Sequence, residues 1–254
     1  VDDIKTAAEM AVLRQFVDML EAEFGKDEIE MTILDGTTTS LECCGFRHTL
    51  TDAGYEMDQI EYLNKLKPIQ NDTLTRAGDD EEADYDNGKL FSSLVMAMAF
   101  ALQTRWHLCV FICALQRHLQ KPTYIHGKKA NVILRLAQKH PKRLLYRWMA
   151  CSRRLHCYSD TGFRKEIDKE GLPDCRSVRG ANFLRLGEDV NGATVVHFLE
   201  AVVGMTKVAV RSTFTSETQG VIATAESAIV LGSTLHEIVD GKMEPRQAVE
   251  ATER

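Results

Sequence analysis

The chain has 254 residues, 44% hydrophobic and 27% charged, with a formal net charge of −6. That is an ordinary globular composition, sufficient for one large packed unit or two smaller ones. No run approaches the roughly 18 uncharged apolar residues of a membrane span, and the first residues lack the pattern of a secretory leader. The expectation is an intracellular protein, cytoplasmic or nuclear, with no membrane partner. Seven cysteines, at 43, 44, 109, 113, 151, 157 and 175, are an odd set without dense regular spacing, so reduced thiols are expected.

The net charge conceals a partition. Residues 1–86 carry 22 acidic and 7 basic side chains, residues 87–159 carry 13 Lys/Arg and no acid, and residues 160–254 carry 15 acidic and 11 basic. A long acid-free cationic stretch suits a phosphate backbone, because each neutralised phosphate releases condensed counterions. A solvated basic helical surface explains the same charges equally well.

In chain order, Met10, Leu13, Val17, Leu20 and Phe24 recur at helical spacing, and Thr6-Ala7-Ala8-Glu9 has the form of a capping box ahead of them. Residues 28–34 alternate as a strand, and 41–50 form a second strand candidate around Gly45. A short helix is expected over 58–66, ended by Pro68. Residues 70–88, rich in Asp and Glu and punctuated by Gly, read as an acidic linker. Three helical patterns follow, over 90–104, 108–119 and 125–136. From Leu144 the period changes to two, with strands expected at 143–149, 154–159, 178–186, 194–200 and 207–213 and a helix over 217–239. The fold class is α+β.

Two acids stand out. Asp160 ends the strand pattern R-L-H-C-Y-S-D, and acids are depleted in strands. A carboxylate there either holds Mg²⁺, a hard cation that prefers oxygen ligands, or faces water. Ser216 and Gln219 have capping-box spacing, which puts Glu217 in a first helical turn, where the helix dipole alone favours an acid by ~0.3–1 kcal/mol.

Taken in order, these segments resemble a copia-type retrotransposon polyprotein over residues 1–240. The upstream motifs are V-D-D at the start, D-Q-I-E-Y-L-N-K-L, F-S-S-L-V-M-A-M-A-F-A-L-Q-T-R and L-Q-K-P-T-Y-I-H. They are followed by Y-S-D, R-G-A-N-F-L-R-L-G, V-V-H-F-L-E-A and T-S-E-T-Q. The resemblance implies the C-terminal part of a reverse transcriptase palm over 1–69, the acidic linker over 70–88 and a basic helical thumb or connection over 89–142. A partial ribonuclease H-like β-β-β-α domain would occupy 143–254. It implies RNA-directed DNA polymerase and ribonuclease H activity in the parent protein, with Mg²⁺, or Mn²⁺, held by Asp2 and Asp3 at one site and by Asp160 and Glu217 at the other. Two ions roughly 3.5–4 Å apart would stabilise the attacking and leaving oxygens. The implied partners are an RNA template, a DNA primer, the RNA–DNA hybrid and further parts of the polyprotein. Lys128, Lys129, Arg135, Lys139, Lys142 and Arg143 are the expected nucleic-acid contacts.

This sequence departs from the family in places. One glutamate, Glu217, stands where two are usual, and Trp106 replaces the proline after T-R. The remaining ligands of both sites would lie before Val1 and beyond Arg254, so the chain alone is expected to be inactive while its parent is an enzyme. A rival reading is a non-catalytic nucleic-acid-binding or structural remnant. Cys43, Cys44 and His48 lie close in sequence but lack the C-x-x-C or H-x₃₋₅-H framework of structural zinc.

Overall fold

The computed structural model describes residues 6, 8–26, 32–34, 38–150, 152, 154–162, 166–167, 173–174, 177–205 and 212–241. Asp2, Asp3, the 207–211 part of one expected strand and most of the 28–34 strand lie outside them. Helix α1 spans Met10–Phe24, with Glu9 at its N-cap and no side-chain cap bond. The expected capping box at Thr6 therefore does not start it, since the helix begins four residues later.

The single strand expected around Gly45 is a hairpin. β1 (Ser40–Cys43) and β2 (Phe46–Thr51) pair antiparallel across the two-residue loop Cys44-Gly45. Both loop residues have positive φ, 50° and 76°, the requirement of a type I′ turn, whose twist matches that of the flanking strands. β3 (Gly54–Asp58) and β4 (Leu144–Arg147) complete a sheet of order β1-β2-β3-β4. β4 was expected to open the final unit, but its partner is β3, with Tyr55 opposite Tyr146. Alternation in a sequence reveals a strand and not its neighbour.

The core is helical. α2 (Ile60–Lys65), α3 (Asp72–Arg76), α4 (Tyr85–Phe100), α5 (Cys109–Gln116) and α6 (Tyr124–Lys139) bury Leu63, Leu74, Phe91, Val95, Met98, Ile112, Leu115 and Leu134 together. The 70–88 segment is not a loose linker. Asn131 clamps its approach, accepting from Ile69 N at 2.7 Å and donating to Ile69 O at 2.9 Å. Asn71 then caps α3, and residues 79–83 run across the start of α6. There Tyr124 N and Ile125 N donate to Glu81 O and Asp79 O at 3.1 and 3.0 Å. Initial helical N–H groups lack partners within the helix, and this strap supplies two. Asp84 caps α4, accepting from Asn87 N at 2.8 Å and Tyr124 OH at 3.0 Å. The Asn87 bonds, foremost among several, hold its carboxyl below the ordinary value.

The last unit is an antiparallel sheet of order β5-β8-β9, built from Arg154–Gly162, Val178–Glu188 and Thr194–Met205. A short ribbon, β6 (Glu166–Ile167) and β7 (Pro173–Asp174), lies in the β5–β8 connection. α7 (Thr213–Asp240) packs on one face. Helices and antiparallel sheets together make the fold α+β. β9 also meets the first unit: Trp106 stacks on Phe198 with ring centroids 5.0 Å apart, and a ring nitrogen of His197 lies 2.8 Å from Arg147 O.

Candidate nucleic-acid interface and carboxylate positions

Residue alternation decides where Asp160 points. In the register, Thr161 faces Arg179, Ser159 faces Ala181 and Cys157 faces Phe183. Arg179, Ala181 and Phe183 line a small cavity with Ala223, Thr224 and Ser227 of α7, so these odd-numbered positions form the helix-covered face. Thr161 is buried there, and a Cβ on Gly220 would collide with its hydroxyl. Asp160 therefore belongs to the face opposite α7 with His156 and Tyr158, all three exposed.

Glu217 is not in the first turn. Ser212 is the N-cap, its hydroxyl accepting from Thr215 N at 3.2 Å, and the helix begins at Thr213. The expected capping residue, Ser216, is instead fully buried in the second turn, leaving Glu217 exposed on the flank of α7. A hydroxyl and Gln at capping spacing occur here inside a helix, because Ser212 offers an equally good cap earlier. The Thr161–Gly220 contact brings the two backbone segments together, Asp160 being one residue from Thr161 and Glu217 one turn before Gly220. The side chains do not share a face. Among the described residues, no group of three or more His, Cys, Asp or Glu side chains gathers as a metal site. The alternation of β5 thus reads Asp160 and Glu217 on opposite sides of the sheet.

The six expected cationic contacts divide. Lys128 is bound to Asp79 at 2.7 Å and donates to Ala77 O at 3.3 Å. Arg143 lies 3.4 Å from Asp58 and 3.5 Å from Glu56. Lys129, Arg135, Lys139 and Lys142 are exposed and pair with no acid among the described residues. Arg135 and Lys139 are one turn apart on α6, about 6 Å along the axis, and Lys142 follows the helix end. Arg135 also lines a surface groove with Asn71, Asp72, Thr75, Lys128, Asn131 and Val132.

Sequence reasoning missed a buried polar centre. Arg105 is 1% exposed, and its guanidinium donates to Ala137 O. Burial lowers its affinity for a proton, and the charge of Asp58 offsets part of that effect. Thr104 donates to Gln59 Oε1 at 3.0 Å, and Gln59 donates to Phe100 O at 3.4 Å. The D-Q and T-R pairs, 45 residues apart, are thus contact partners beneath the sheet-to-helix junction. An arginine at the end of a long apolar helical run was the available signal.

No protein-family model matches this chain, and no curated protein matches it either. Among the described residues, no helix is long and apolar enough to cross a membrane.

Proposed function

We propose that this chain is part of a copia-type retroelement polyprotein and acts on nucleic acid through its basic connection. The parent activity on this reading is RNA-directed DNA synthesis with ribonuclease H. The observation that carries the reading is order: three antiparallel strands, β5, β8 and β9, then a helix packed over β5. The Y-S-D segment lies in the C-terminal half of β5, two residues before its end at Gly162, and T-S-E-T-Q lies in the first turns of that helix. Upstream support comes from the contact between the D-Q and T-R pairs, two motifs that carry the resemblance. Mg²⁺, or Mn²⁺, is the metal this reading calls for, and it would supply charge stabilisation for phosphoryl transfer. Asp160 and Glu217 are the residues on this reading that would hold it.

A second reading, a non-catalytic nucleic-acid-binding remnant, is favoured by the separate faces of Asp160 and Glu217. One pair of assays tests both. RNA–DNA hybrid is titrated across salt concentrations, then incubated with the chain and Mg²⁺ or Mn²⁺ beside an Asp160→Asn control. Four unpaired cations give a slope of log K against log salt of about −3.6, at about −0.9 per duplex phosphate. The Arg135→Glu/Lys139→Glu variant should flatten it. Binding that is absent or indifferent to salt defeats both readings; the first reading expects no cleavage by this chain alone, and cleavage abolished by Asp160→Asn would rule out the remnant and show that the chain holds a complete site.

A further inference from the structure

The loop of the β1–β2 hairpin carries chemistry that the nucleic-acid reading does not use. Cys43 ends β1 and Cys44 is the first loop residue, both as thiols, Cys44 exposed and Cys43 half-buried. Their sulfurs lie 3.8 Å apart, held there by a turn in which Cys44 and Gly45 both have positive φ. A non-glycine residue at positive φ is uncommon, and here it turns two neighbouring thiols toward each other, where strand alternation would send them to opposite faces.

We propose that Cys43 and Cys44 form a bidentate dithiol site for a trivalent arsenical, a three-coordinate soft centre that needs two sulfur donors from the protein. Two alternatives fit less well. Adjacent Cα atoms lie about 3.8 Å apart across a trans peptide, short of the about 4.4–6.8 Å that disulfides span, so oxidation to a disulfide strains the turn. Structural zinc takes four ligands, and the hairpin loop itself supplies two sulfurs. His48 is buried and engaged with the Tyr55 hydroxyl. With an arsenoxide, two S–As bonds form and the As=O bond breaks. The two thiol protons leave with the oxygen as water, and arsenic stays trivalent.

The test uses the whole reduced chain with one equivalent of phenylarsine oxide, read by intact mass and by retention against excess monothiol. The expected product gains one phenylarsenic group and loses two hydrogens, survives monothiol and is reversed by a small dithiol. Cys44→Gly suits the positive φ and preserves the hairpin, and Cys43→Ser is the partner variant. Each should lower retention by ~10²-fold or more, because the second S–As bond is no longer intramolecular. The rival pair is Cys109 and Cys113, one turn apart on α5, whose thiols burial pushes up. An adduct that persists in Cys44→Gly and vanishes in Cys109→Ala/Cys113→Ala overturns the proposal, as does a chain that takes up no arsenical.

Discussion

Replacing Gly220 by alanine tests the register of α7 on β5, on which the separation of Asp160 from Glu217 depends. In an exposed helix interior that change stabilises by ~1 kcal/mol, since glycine costs that much relative to alanine. Here the added methyl meets the buried Thr161 hydroxyl at a distance no real contact adopts, and overpacking costs ~1–3 kcal/mol. The net expectation for Gly220→Ala is a loss of ~0–2 kcal/mol. Thr161→Ala removes the obstructing hydroxyl, which itself finds no hydrogen-bond partner among the described residues. In that background the methyl faces no obstacle, so Gly220→Ala becomes stabilising, and the cycle yields a coupling of ~1–3 kcal/mol. Urea denaturation of the four proteins, followed by far-UV circular dichroism, measures it. Additive effects, or a stabilising Gly220→Ala in the unmodified background, would show that Gly220 does not rest on Thr161. The assignment of Asp160 to the face opposite α7 would then fall.

Leu134 is fully buried among α4, α5 and α6, so Leu134→Ala should cost ~2–5 kcal/mol, visible as a lower denaturation midpoint; an unchanged midpoint would contradict that core. His107 is held below its ordinary value of 6.5 by burial, then by Lys142 and Arg105. Its neutral form is favoured in the folded state, so its contribution is complete above pH 6.5 and is lost as pH falls through the depressed folded value. His107→Gln should flatten stability measured against pH in that range, and an unaltered profile would refute the assignment.

The helices were legible because burial repeats every three to four residues. Phe91, Leu94, Val95 and Met98 all face the core, and their spacing alone predicts α4. Partners were not legible. β4 reads as the start of the last unit because period two follows it in sequence, yet its register is fixed by Gly54–Met57, some 90 residues earlier. The acidic stretch 70–88 reads as linker because composition is blind to backbone bonding. Its ordering comes from carbonyls of Asp79 and Glu81 that satisfy the start of α6. At the candidate site the residue types were visible, but the side of the sheet was not. One residue of strand register separates a carboxylate facing α7 from one facing away from it, and the pairing of β5 with β8 and the Thr161–Gly220 contact fix it.

The charge partition has an internal use that bears on how the basic segment is interpreted. Asp79 meets Lys128, while Glu56 and Asp58 meet Arg143, so part of the acidic first block neutralises part of the basic second block within one chain. A partly exposed pair such as Lys128–Asp79 contributes ~0–1 kcal/mol, and Arg143 meets a buried carboxylate in Asp58, so both cations have partners without any ligand. Lys139 has its own explanation, because it sits in the last turn of α6, where the helix dipole favours a cation by ~0.3–1 kcal/mol. Arg135 lies more than a turn from the negative, C-terminal end of α6 and pairs with no acid among the described residues. Lys142 acts on His107 in the unfavourable sense, depressing its protonation. Neither stabilises the fold through its charge by any contact described here, and both are exposed. On the proposed nucleic-acid reading, Arg135 and Lys142 are the residues whose counter-charge a bound polyanion would supply, and on which that reading rests most directly.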